Sequence, residues 1–237
     1  MLNIDEVKVY APKLSMDMFN YFDLVPPDLQ PMSVIAGGAL VSNEGDVDLW
    51  ILTPNEYFVS TPSYWTGIRN RVREYLERLK LPHPAFSNLI WKEREANGEE
   101  YASNGRVLFD VEAYPKAEHP GFFGGIPRKL QILGTSQHTA TGLLNTFDLS
   151  VHQVAVRWDG ITYTVPTSTT RSEIIRITNL HSPERTFKRY RKLWHRYEVF
   201  RGNLANGIDH QGILNLIRAP YDGTALAAQD EKIKELR

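Results

Sequence analysis

Val34-Ile35-Ala36-Gly37-Gly38-Ala39-Leu40, followed after Val41-Ser42-Asn43-Glu44 by Gly45-Asp46-Val47-Asp48-Leu49-Trp50-Ile51-Leu52, is the stretch that decides the fold. It reads as a short regular segment, a glycine pair at a tight turn, a brief excursion and then a strand. Side chains alternate across a strand, so Asp46 and Asp48 project to one face and Val47, Leu49 and Ile51 to the other. Two carboxylates side by side repel unless a positive charge stands between them. Mg²⁺ suits that place, being held by one or two carboxylates and completed by water and phosphate oxygens. Glycine lacks Cβ, so the backbone at Gly37 and Gly38 can come close to a ligand and present N–H groups to phosphate.

Outward from this stretch, the totals narrow the class. The chain has 237 residues, 42% hydrophobic and 23% charged, enough for one large domain or a domain with a smaller appendage. A formal net charge of -1 argues against a surface coated in basic residues, and the absence of cysteine excludes disulfides, thiolate metal sites and cysteine catalysis. No signal peptide or membrane-length apolar run is read, so a cytoplasmic protein without a membrane partner is expected.

Before the glycines, Met16 to Phe22 reads as a short helix, and Pro26, Pro27 and Pro31 interrupt any regular element. After Thr53-Pro54, Tyr64 to Leu81 is predicted helical. Ile68, Val72, Tyr75, Leu76 and Leu79 make its apolar stripe, and its arginines and lysines read as a solvated face. Ala85 to Trp91 and Arg106 to Tyr114 read as strands, the second carrying another same-face pair, Asp110 and Glu112. That pair is read first as the wet face of an edge strand, with a role beside Asp46 and Asp48 as the alternative. Lys129 to Leu133 is predicted as a strand, Thr139 to Asn145 as a helix, and Phe147 to Val156 as a strand. A turn at Asp159-Gly160 then leads into Ile161 to Val165. Arg171 to Leu180 is predicted helical. Ser182-Pro183-Glu184 carries a helix-start signal for a second helix reaching about Phe200. From Arg171 to Arg196, eight Lys or Arg stand against Glu173 and Glu184, a basic concentration that is either a solvated face or a contact for phosphate.

Gly-Gly, a spacer and Asp-hydrophobic-Asp-hydrophobic resembles the signature of the DNA polymerase β-like nucleotidyltransferase superfamily, which includes CCA-adding enzymes, poly(A) polymerases and small stand-alone nucleotidyltransferases. The later run of strand, short helix, Phe147-Asp148 and an Asp-Gly hairpin resembles stand-alone members of viral or phage type. The resemblance implies an α/β (α+β) fold, with a mixed nucleotidyltransferase-type sheet flanked by helices. It implies a catalytic domain over 1–166 and a helical C-terminal portion over 167–237. It also implies that Asp46, Asp48 and Asp148 hold Mg²⁺ or Mn²⁺ and act in catalysis, with Asp110 or Glu112 as the alternative third acid. Gly37 and Gly38, together with Lys129, Arg185 and Arg189, would bind the nucleotide. The implied reaction moves a nucleoside monophosphate from an NTP to a hydroxyl of tRNA or other RNA, of a protein or of a small molecule. The chain is too short for the neck, body and tail of a CCA-adding enzyme, so full CCA synthesis is not expected. The spacer from Ala39 to Gly45 is shorter than the helix the family places there. That feature supports a rival reading, a catalytically inactive nucleotidyltransferase-fold module that binds or scaffolds.

Overall fold

The computed structural model describes residues 4–42, 46–54, 62–80 and 130–170, the isolated positions 175, 178, 186 and 189, and the backbone of 89–94 and 107–115. Its strands, in chain order, are β1 (Ser33–Ala36), β2 (Val47–Ile51), β3 (Leu89–Arg94), β4 (Val107–Pro115), β5 (Leu130–Thr135), β6 (Val154–Arg157) and β7 (Thr162–Thr164). They form one mixed sheet in the order β3-β4-β5-β2-β1-β6-β7. β2 and β5 run parallel and the remaining neighbours antiparallel. The helices are α1 (Ile4–Tyr10), α2 (Met16–Phe19), α3 (Gly38–Val41), α4 (Pro62–Lys80) and α5 (Ala140–Asn145). The fold is thus α+β, a mixed sheet flanked by helices, as the sequence led us to expect.

The period of two in the sequence assigns the two faces of the sheet. Ile35, Val47, Leu49, Ile51, Leu130, Ile132, Val154 and Val156 lie in one buried cluster with Trp65, Ile68, Val72 and Leu76 of α4. Their alternate neighbours Val34, Ala36, Trp50, Leu133 and Ala155 lie in a second cluster with Ala140, Leu143 and Leu144 of α5 and with Phe147. The α4 stripe recurs at three- and four-residue spacing, as a helix lying on a sheet requires. Burying each of its larger side chains is worth roughly 1.5–3 kcal/mol. The basic residues of α4 behave as the solvated face expected of them: Arg71 pairs with Asp28, and Arg78 reaches Glu74 one turn away at 3.5 Å. Helix α5 starts where Thr139 accepts a hydrogen bond from the Gly142 N–H at 3.0 Å, an N-cap. Among the described residues no helix is long and apolar enough to cross a membrane.

Two expectations are corrected. Phe147 to Gln153 is not strand. The chain bends at Asp148 and forms a 3₁₀ turn over Ser150–His152, and only from Val154 does it enter the sheet, against β1. The reason is local competition for hydrogen bonds. Gln153 Nε2 donates to Leu144 O at 3.0 Å, and the Ser150 hydroxyl shares a 2.6 Å hydrogen bond with that of Thr169. The polar members of an alternating pattern have folded back onto the chain instead of facing outward. Within the predicted 171–180 helix, the described positions Ile175 and Thr178 are not helical, whereas Thr186 and Arg189, in the following predicted helix, are.

Candidate functional site

Four strands of the sheet, β1, β2, β4 and β5, build the site. β1 ends at Ala36, and Gly37 turns the chain with φ 86 and ψ −136, a backbone state that L side chains rarely adopt. Its N–H donates to Val154 O at 3.0 Å, so Gly37 is bound into the sheet edge of β6. A Cβ added at Gly37 would stand 3.0 Å from Cε2 of Phe147. Gly38 differs: it opens the single turn of α3, and a Cβ there would meet nothing within 4 Å. β2 runs back antiparallel, with Ile35 opposite Leu49, so the glycine turn leaves β1 beside the start of β2. Asp46 at that start is exposed and Asp48 half-buried, between the wholly buried Val47 and Leu49.

The register carries the row further. Asp48 pairs with Gln131 of β5, and Gln131 pairs with Glu112 of β4. Residues in register on neighbouring strands occupy the same face of a sheet, with strands roughly 4.8 Å apart. Asp48, Gln131 and Glu112 therefore form one row, its two acids about 10 Å apart at Cα. Asp110 falls in the next row, with Leu133 and Trp50, both of which lie in the buried cluster under α5. Gln131 is only 6% exposed on a strand otherwise apolar through Leu133. The sequence reading passed over it, although one amide inside Leu130 to Leu133 was the available signal.

Asp148 is occupied differently. Arg189 Nη1 donates to its carboxylate oxygens at 3.0 and 3.1 Å, and the Thr186 hydroxyl donates to Oδ2 at 3.1 Å. Burial pushes the Asp148 carboxyl up. The nearby charges of Arg189 and His152, with the hydrogen bonds from Thr186 and Arg189, outweigh it and hold the group below the usual carboxylate value. Among the described residues no group of three or more His, Asp and Glu is arranged to hold a metal ion. Lys129 and Arg185 lie outside the described residues. Thr186, only 1% exposed, was missed, since nothing in the sequence marks a threonine inside a basic helix as a buried partner.

No protein-family model and no curated protein sequence matches the chain. Among solved structures, a CCA-adding enzyme in complex with CTP is similar, at 14% identity and a TM-score of 0.38, over 99% of this chain and 55% of that one. The chain thus spans about half the length of that enzyme. At that score the likeness says nothing of substrate or activity.

Carboxylate is the donor type that a hard divalent cation takes. Asp46, exposed, and Asp48, half-buried, stand at the start of β2, and Glu112 is in register with Asp48. Carboxylate oxygens without thiolate suit Mg²⁺ or Mn²⁺ rather than softer metals.

Proposed function

We propose that the chain is a nucleotidyltransferase dependent on Mg²⁺ or Mn²⁺, acting from the sheet rim formed by the glycine turn and the start of β2. The observation that carries this reading is the juxtaposition of an open space over Gly38 with the row Asp48–Gln131–Glu112 at the same end of the sheet. In this reading Asp46, Asp48 and Glu112 hold the cation, which when bound neutralises phosphate charge and makes a hydroxyl easier to deprotonate. The backbone at Gly38 lies along the triphosphate, with Lys129 and Arg185 as countercharge. The acceptor oxygen bonds to the α-phosphorus, the bond from that phosphorus to the bridging oxygen breaks, and pyrophosphate leaves. The hydroxyl proton passes to a carboxylate of the row or to water. Asp148, as third acid, is the weaker candidate, because protein donors already take up its oxygens.

The test is incorporation of α-labelled NTPs into total RNA, total protein or small acceptors, with Mg²⁺ or Mn²⁺, for the wild-type chain and Asp48→Asn. Asn keeps the shape and removes the charge. Losing several kcal/mol of transition-state stabilisation should lower turnover by at least about 100-fold. Undiminished turnover in Asp48→Asn would remove the assignment. The short α3, one turn from Gly38 to Val41, favours the second reading, an inactive binding module. That reading requires no transfer with any acceptor, although Mg²⁺ and NTP still raise the melting temperature.

A further inference from the structure

Three described positions of the C-terminal segment, Thr178, Thr186 and Arg189, converge on two residues. Thr178 donates its N–H to Asp148 O at 2.9 Å and its hydroxyl to Phe147 O at 2.7 Å. Eight residues later Thr186, wholly buried, donates to the Asp148 carboxylate, and Arg189 donates to the same group. Thr186 and Arg189 are three apart and helical, so both face one side of their turn. The Phe147 ring in turn lies against Gly37, its Cε2 where a Cβ would have to fit, and 6.1 Å from the Trp50 ring, centroid to centroid. Trp50 is two residues along β2 from Asp48. An unbroken path of contacts therefore runs from Arg189 and Thr186 through Asp148 and Phe147 to the glycine turn and the acidic strand.

We propose that Asp148 is a positioning residue that anchors the helical positions Thr186 and Arg189 beside Phe147, so that this anchor sets the placement of the Phe147 ring over Gly37. The anchor serves as a latch. Its carboxylate collects donors from a segment far along the chain, and its own backbone carbonyl fixes that segment a second time at Thr178. The pair is well placed to persist in solution: the side chain of Asp148 is 13% exposed and that of Arg189 is 36%. A metal ligand needs lone pairs directed at the ion, whereas here both oxygens already accept from protein donors. The latch stands without the transferase reading; only its consequence for turnover rests on it.

The experiment compares wild type with Asp148→Asn, Arg189→Met and Arg189→Lys by amide hydrogen exchange, read at the Thr178 and Gly37 N–H groups. These two amides are bonded to Asp148 O and Val154 O. Asp148→Asn and Arg189→Met should speed exchange at both amides by about 10-fold or more, with Arg189→Lys closer to wild type because a cation remains. If the chain is also a transferase, Asp148→Asn should raise KM for the NTP severalfold and leave kcat within about threefold. Unchanged exchange at both amides in Asp148→Asn and Arg189→Met would overturn the latch whatever the activity. So would loss of kcat together with Mg²⁺ affinity in Asp148→Asn, since that is how a metal ligand behaves. A chain with no transfer activity at all leaves the exchange result as the deciding measurement.

Discussion

The stretches around Asp48 and Asp148 look alike in sequence and behave oppositely in the fold. Each is an aspartate set in an alternating apolar run, Val47-Asp48-Leu49 and Phe147-Asp148-Leu149. At Asp48 the alternation is honoured: Val47 and Leu49 are wholly buried against α4, and the carboxylate stays at the rim, half-buried, beside an open glycine. At Asp148 the pattern is overridden. The chain bends, and the carboxylate is buried under Arg189 and Thr186. What separates them is burial and placement: Asp48 is half-buried at the start of a strand, and Asp148 is buried under donors from far along the chain. A buried acid held by protein donors is a structural fixture, whereas an acid at a sheet rim remains within reach of a ligand.

The sharpest way to break this comparison is to move the third acid. If the row is the site, Glu112→Gln should cut nucleotidyl transfer by about 100-fold or more, whereas Asp110→Asn, one row away beside Leu133 and Trp50, should cost under about 10-fold. Steady-state rates with labelled NTP decide it. A larger loss from Asp110→Asn would shift the site to the Trp50 row and weaken the contrast drawn here.

Much of the β1–β2 half was legible because short-range rules govern it. Alternation placed Val47, Leu49 and Ile51 inward, the α4 stripe contained Ile68, Val72 and Leu76, and Asp159-Gly160 announced the β6–β7 hairpin, where Gly160 adopts φ 82. The parallel pairing of β2 with β5 was not legible. It joins residues about 80 positions apart, and only that pairing puts Glu112 in Asp48's row rather than on an edge. Nor was the bend at Asp148. It goes with the side-chain bonds of Ser150 and Gln153 and is held by Thr178, Thr186 and Arg189, partners that no local window contains.

A second contrast, smaller in effect, lies within the glycine pair. Gly37→Val must adopt a positive φ and displace the Phe147 ring, and a side chain in so sparsely populated a backbone region costs about 1–3 kcal/mol before any clash. A melting temperature lower by roughly 5–10 °C is expected. Gly38→Val should leave the melting temperature within about 3 °C, since its Cβ enters open space, and should weaken NTP binding instead. Equal destabilisation by both substitutions would mean that the open space over Gly38 is not there in solution.

The smallest expected effect concerns acid. The Asp148 carboxyl is held below its usual value in the fold, so the sign of its linkage is fixed. Its contribution to stability is fully present above the unfolded value, about 3.9, and is lost as pH falls through the lower folded value. Asp148→Asn removes that contribution at neutral pH, at a cost of about 1–2 kcal/mol, toward the low end because Arg189 is partly exposed to screening solvent. The gap in melting temperature between wild type and Asp148→Asn should therefore be constant from about pH 5 to 7 and close as pH falls below about 4. A gap that persists unchanged as pH falls well below about 4 would show that the Asp148 carboxylate does not hold the segment in place.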